Sequence, residues 1–333
     1  MTTTSVLDLL RRKARGQPQR IIFPEQSDPR VIGAIGILVE QGLCKPVLLN
    51  TSNPKIPDCE IFWEQTDAPE WFDLATTTFS ESRNITLAQA KQDLRDPLLL
   101  SALLTRCGYI DAGIAGSIAT TANVLRAAIQ GIGLIPDSQL LSSAFLMELP
   151  NCVLTYGDCA VNPCPTAEQL AQIAIDSAAT HFALTGQTPK VALLSFSTTG
   201  SAQHKSIDTV RKALSIVKSQ KPELCIDGEL QFDTAFVANI GAIKATDSPV
   251  AGQGNVFIFP DLNSGNIGYK ITEHLGGANA IGPVLQGLRK TWVDLSRGCK
   301  QNDIVDAAVI ASVLSIEQKK KPQPHHQGEI CEV

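Results

Sequence analysis

With 333 residues, 44% of them hydrophobic, the chain is long enough to bury one large core or two medium ones, which excludes disorder over most of its length. A net charge of -5 and a pI near 5.6 exclude the basic surface of a general nucleic-acid or membrane-surface binder, so an anionic partner should be small and held by local arginines, lysines and backbone N–H groups. No apolar run reaches the ~18 residues of a membrane span, Met1 to Gly16 lacks a signal-peptide core, and nine cysteines without a C-x-x-C pair suit reduced thiols, which together predict a cytoplasmic protein.

Along the chain, Thr4 to Lys13 reads as a first helix. Arg20 to Phe23 is expected to be a buried strand, followed by a helix with Asp28 as N-cap, Pro29 at its first position, and Val31, Ala34, Ile35 and Leu38 on one face. Lys45 to Leu49 returns as a strand, and Thr51 to Thr78 is a polar, tryptophan-containing stretch. Asp96-Pro97 repeats the helix-start signal, and Thr120 to Gly131 places Val124, Ala127 and Ala128 on one side of a further helix. A second layered region begins near Ser142 with a strand at Val153 to Tyr156, then a long helix opened by the T-x-x-Q capping box of Thr166 and Gln169. Strands at Val191 to Phe196 and Val256 to Phe259 each run into a small-residue polar loop, Ser197 to Ser201 and Asp261 to Asn266. The last helix, about Asp303 to Ile316, is apolar on several sides and should be buried, with a loose tail from Lys319. Short β-branched runs alternating with amphipathic helices give an α/β fold of mostly parallel strands.

Open parallel sheets bind ligands at the carboxyl ends of their strands, so the loops there are candidates. Asp294 to Asp303 is a polar block ahead of the last helix. In it Arg297 offers a fork of donors suited to a phosphate or a developing oxyanion, Gly298 permits close backbone approach, and Asp303 can accept a proton. The alternative is that Asn302 or Asp303 only caps the helix and Arg297 pairs with Asp294. Ser197, Thr198, Gly200 and Ser201 carry enough hydroxyl and amide donors to cradle a phosphate ahead of a helix at about Asp208 to Val217, unless they are an ordinary serine-rich turn. Asn266, Gly268, Tyr269 and Lys270 either grip an anion or form a helix start with a solvated lysine. Cys159 could be a nucleophile, but no histidine lies near it in sequence, and a buried structural thiol is the simpler expectation. The usual glycine-rich dinucleotide and P-loop motifs and the G-x-S-x-G elbow are missing, and the five histidines show no metal-site spacing, so no bound cofactor or metal is expected.

The residues resemble those of the phosphate acetyltransferases, a group that includes the phosphate butyryltransferases. The likeness runs from Arg20 to about Val313. Its blocks are 20–25, Ala115-Gly116 with 120–127, 158–163, 194–198 with 200–202, 227–233, 265–270 and 294–299. The resemblance implies two αβα domains with mostly parallel sheets, related to the isocitrate and isopropylmalate dehydrogenases, with the active site in the cleft between them and a homodimeric assembly. The first domain is then 1–137 completed by 287–333, around an inserted 138–286. It further implies reversible transfer of an acetyl group between acetyl phosphate and coenzyme A, both bound as substrates, by direct attack of the thiolate. Asp303 matches the family's base, Arg297 the arginine that binds carbonyl or phosphate, and Ser296 the neighbouring hydroxyl. Arg126, and with it Arg83, match arginines that bind coenzyme A. A carboxyl near pH 4 and a thiol near 8.5 differ by roughly 6 kcal/mol. Hence either a buried setting strengthens the base, or proton removal accompanies attack while Arg297 stabilises the growing oxyanion. A butyryl-specific enzyme and a catalytically silent coenzyme A-binding domain are the competing readings, and the second fits poorly with Ser296, Arg297 and Asp303 all in place.

Overall fold

A computed structural model describes residues 5–49, 59–62, 70–136, 138 and 140–320, with only the backbone described for 60–62. The chain divides into two compact units, Met1–Ile135 with Leu288–Val333, and Pro136–Gly287.

The first unit opens with α1 (Val6–Gly16), β1 (Arg20–Ile22), α2 (Pro29–Glu40), β2 (Lys45–Leu49) and β3 (Glu60–Phe62). It continues through α3 (Glu70–Arg83), α4 (Leu87–Asp93), α5 (Pro97–Arg106), β4 (Ala112–Ala115) and α6 (Thr121–Ala127), which runs into a π-helical turn, Ala128–Ile132. The second unit holds β5 (Ser142–Glu148), β6 (Val153–Gly157), α7 (Ala167–Thr185), β7 (Val191–Leu194), α8 (Lys205–Gln220) and β8 (Ile226–Leu230). Then come α9 (Phe232–Phe236), α10 (Ala238–Lys244), β9 (Val256–Ile258), α11 (Leu262–His274) and β10 (Asn279–Gln286). The chain returns to the first unit for β11 (Thr291–Asp294) and α12 (Gln301–Lys320).

In the first unit the strands run β3-β2-β1-β4-β11, every neighbouring pair parallel. Parallel strands need helical coverage on both faces, and β4 is buried at all four positions. One group of helices, α1, α2 and α12, packs together and onto β1, β4 and β11, while α3, α5, α6 and the π-turn form another. Side-chain capping starts the helices where the sequence signals it. Asp28 accepts from the Arg30 amide and Asp96 from the Leu98 amide, each ahead of an N-terminal proline. α12 carries almost no polar face; twelve of its residues, from Ile304 to Ile316, are buried, and it is longer at both ends than the expected 303–316. The sequence beyond Lys320 and most of the polar stretch ahead of α3 lie outside the described residues.

In the second unit the order is β10-β5-β6-β9-β7-β8, antiparallel through β10, β5 and β6 and parallel beyond. Both faces are covered. Val191 and Leu193 join α7 and α8 in one core, whereas the intervening Ala192 and Leu194 join Phe145, Tyr156 and Phe257 in another. The capping box at Thr166 forms as the sequence indicates, and Gly186 ends α7 in the left-handed conformation, at φ 70°. Each unit is therefore an α/β layered structure, as the alternating pattern predicts.

Candidate active site

Ser296, Arg297 and Asp303 follow β11 at the carboxyl edge of the first unit's parallel strands. β11 ends at Asp294, and Leu295 still donates its N–H to the Ala115 carbonyl at the end of β4. The chain then turns sharply, with the Cys299 N–H donating to the Ser296 carbonyl and the Gly298 N–H to Ser296 Oγ at 3.2 Å. Lys300 N–H donates to Asp303 Oδ2 at 2.7 Å, so Asp303 does cap α12, as the plainer alternative holds. The other alternative, an Arg297–Asp294 pair, does not form. Asp294 is buried, whereas Ser296, Arg297 and Asp303 are exposed on one turn. The Arg297 guanidinium has no hydrogen-bond or ionic partner among the described residues. Arg126, in the last turn of α6 after the neighbouring strand β4, is exposed and donates to Asn123 Oδ1 at 3.1 Å. Arg83 ends α3, a helix packed on α4 and α5, and is likewise exposed.

Beneath this turn lies a charged framework that sequence reasoning did not assign. The carboxylate of Glu25, which follows β1, accepts from the backbone N–H groups of Gly116, Ser117, Ile118 and Ala119 and from Ser117 Oγ, at 2.6–3.1 Å. These donors would otherwise form an anion-binding nest; here the protein supplies the anion itself. Arg30 donates to Asp28 and to three backbone carbonyls. Its hydrogen bonds hold the Asp28 carboxyl below the usual range against the opposing effect of burial. Asp294 is the contrary case: burial pushes it up to about 7, a Thr121 hydrogen bond only partly opposes this, and the neighbouring Glu25 charge adds to it. Its Oδ1 has no hydrogen-bond partner among the described residues.

The second unit also gathers its candidates at strand ends, but there the expected phosphate cradle is already filled. Glu229 accepts from Ser197 Oγ at 2.8 Å, the Gly200 N–H at 3.0 Å and Arg211 Nε at 2.7 Å. Burial raises its carboxyl, yet these bonds hold it down at about 2. The Thr198 N–H donates to Ser201 Oγ, and Thr198 Oγ1 accepts from the Gln231 N–H. The internal carboxylate thus engages Ser197 and Gly200, while Thr198 and Ser201 bond to one another.

Cys159 is fully buried, its thiol pushed well up by burial and by the Asp158 charge, a setting that suits a structural thiol better than a nucleophile. Asp158 closes its own loop, accepting from the N–H groups of Ala160, Val161 and Asn162. The stretch expected to be a polar loop at 261–266 is instead the start of α11, capped by Asp261 accepting from Ser264 N–H. Small residues there serve packing: Gly265 lies against the Asp158 carbonyl and Gly268 against the Phe259 ring. Asn266 Nδ2 donates to the Cys159 carbonyl at 3.2 Å, and Tyr269 stacks on Phe145 with ring centres 4.1 Å apart. Lys270 is exposed, with Nζ 4.9 Å from the Tyr269 ring centre. The segment is thus helical, with its lysine exposed.

Glu25, Arg30 and Glu229 escaped the sequence reading because each acts on a loop far from it along the chain. The one local hint was the cluster of Glu25, Asp28 and Arg30 immediately after a buried strand, the position from which side chains reach a sheet's carboxyl edge.

Residues 5–312 match the phosphate acetyl/butaryl transferase family. A phosphate acetyltransferase of Thermoanaerobacterium thermosaccharolyticum is 42% identical over 93% of this chain and 99% of its own length. Another from Paracoccus denitrificans is 41% identical over 92% of this chain and 98% of its own. Among solved structures, a phosphotransacetylase from Streptococcus pyogenes superposes with a TM-score of 0.86 at 41% identity, covering 94% of this chain and 98% of the other. With the layered fold and the exposed turn at the end of β11 in place, these likenesses show that the chain belongs to the phosphate acetyl/butaryl transferase family.

Proposed function

We propose that this chain is a phosphate acetyltransferase that moves an acetyl group reversibly between acetyl phosphate and coenzyme A. The observation that carries the reading is the single turn on which Ser296, Arg297 and Asp303 are all exposed in a chain of this family. The Lys300 N–H fixes one oxygen of Asp303 and leaves the other free, so the helix cap orients the carboxylate for work as a base. As the coenzyme A sulfur attacks the acetyl carbon, its proton passes to Asp303. The new carbon–sulfur bond forms, and the carbon–oxygen bond to phosphate breaks with its electron pair leaving on phosphate. Charge on the acyl oxygen is met by the Arg297 fork and the Ser296 hydroxyl. Because Asp303 is exposed in its unit, proton removal in step with attack fits better than a base strengthened by burial.

Arg126 and Arg83 would pair with coenzyme A phosphates, with coenzyme A acting as a substrate and not as a resident cofactor. The protein would work in the cytoplasm as a homodimer. In support of self-association, α11 exposes Ile267, Ile271 and Leu275 at i, i+4 and i+8, the last 85% accessible. Light scattering should then give twice the 35.6 kDa of one chain.

The test is thioester formation from acetyl phosphate and coenzyme A, with butyryl phosphate in parallel. Asp303→Asn should cut kcat at least ~100-fold while the KM for coenzyme A moves by less than about threefold. Equal losses in both would remove the base assignment, faster butyryl transfer would change the acyl group, and failure with both substrates would favour a silent binding domain.

A further inference from the structure

Arg30 stands in the first turn of α2, with its side chain among the three loops that follow β1, β4 and β11. Nε lies 3.1 Å from both carboxylate oxygens of Asp28. Nη2 donates to Asp28 Oδ2 at 2.7 Å and to the Ser117 carbonyl at 2.8 Å. Nη1 donates to the carbonyls of Arg297 at 2.9 Å and of Cys299 at 2.7 Å. A guanidinium has five N–H donors, one on Nε and two on each terminal nitrogen, and every nitrogen here has at least as many acceptors as it has hydrogens. No donor is left for a substrate.

The two carbonyls held by Nη1 flank Gly298, the most permissive point of the turn that bears Arg297 and leads to Asp303. Anchoring both removes the backbone freedom that glycine would otherwise confer. Asp28, itself the N-cap of α2, fixes the guanidinium plane from the other side with a bidentate pair. We propose that Arg30 is the positioning residue of the reaction: without touching substrate, it sets the backbone of the 296–303 turn from a fixed point on α2. This rests on the assignment of Arg297 and Asp303 to the chemistry. A lysine cannot replace it, because one ammonium has neither the plane nor the span to reach Asp28, Ser117, Arg297 and Cys299 together.

The experiment compares Arg30→Gln, Arg30→Lys, Arg297→Gln and the double variant Arg30→Gln/Arg297→Gln in the full chain, by steady-state rates with acetyl phosphate and coenzyme A. Both Arg30 variants should lose about 10- to 100-fold in kcat with the KM for coenzyme A within about threefold. The double variant should lose clearly less than the product of the two single losses, because part of what Arg30 positions is gone once the Arg297 side chain is removed. If the two losses multiply, if KM rises with kcat unchanged, or if Arg30→Lys keeps full turnover, the proposal is wrong. Arg30→Lys retains the cation beside Asp28 and supplies the answer should Arg30→Gln not fold. Full turnover in Arg297→Gln would instead overturn the underlying assignment of Arg297, a result separable from the behaviour of the Arg30 variants.

Discussion

Asp294 and Glu25 are both buried carboxyl groups at the same sheet edge, and they differ in how their charge is met. Glu25 accepts from four backbone amides and a hydroxyl, so its loop is organised around its side chain. Asp294 has an oxygen with no partner among the described residues and is pushed up to about 7 by burial. The folded chain therefore binds this proton more tightly than the unfolded chain, in which an aspartic acid titrates near ~4. Its contribution to stability is complete below that unfolded value and is lost as the pH rises through about 7. A shift of roughly three units bounds the effect at about 4 kcal/mol. Asp294→Asn, which cannot ionise, should be more stable than the parent at pH 8 by up to that amount and flatter between pH 5 and 8 in urea denaturation. Parallel pH profiles for parent and variant would show that this group does not titrate on folding.

At the level of elements, the closest fit in the first unit is between β4 and β11. A Cβ on Gly113 would collide with the ring of Trp292, which is fully buried. The glycine makes room for a tryptophan on the next strand, and that tight joint carries the turn bearing Arg297. Gly113→Ala should cost about 1–3 kcal/mol through overpacking, and Trp292→Leu in the same chain should recover part of it; an unchanged urea midpoint for Gly113→Ala would mean that the ring simply moves aside.

This joint also shows what the sequence could and could not reveal. The starts of α2, α5 and α7 were legible because a cap and its amide lie two or three residues apart, and β2 because its apolar run is bounded by turn residues. β4 reads Ala-Gly-Ile-Ala, with little intrinsic strand preference, and is fixed by β1 and β11 on either side. α11 was ambiguous in the sequence because Asn, Ser and Gly are poor helix formers; its Gly265 and Gly268 lie against Asp158 and Phe259. In the candidate site, Ser296, Arg297 and Asp303 stood out as one polar block. The Arg30 contacts, 267 and 269 residues away in sequence, left no local trace.

On the scale of the whole chain, the two units are built differently along the sequence. Pro136–Gly287 is continuous and has a core on each face of its sheet. Expressed alone, it should melt cooperatively with an α/β far-UV signal. The segment 1–135 expressed alone should not, since it lacks β11 beside β4 and α12 against α1, α2 and β1. A cooperative melt from 1–135, or none from the continuous unit, would contradict this division of labour.

The discontinuity gives the chain an order of events in time. A ribosome releases residues from the amino end at ~5–20 per second, and domains tend to fold as they emerge. The continuous unit can be finished while the other still waits for its last strand and helix. Arg83 and Arg126 emerge early, but Ser296, Arg297 and Asp303 arrive with that closing segment, on the piece that completes the sheet. A nascent or prematurely ended chain thus holds the arginines proposed to grip coenzyme A before it holds the carboxylate proposed to take the thiol proton. On that proposed assignment, a translation product that stops short of β11 and α12 has no chemistry, and the appearance of activity would report that the first unit has closed.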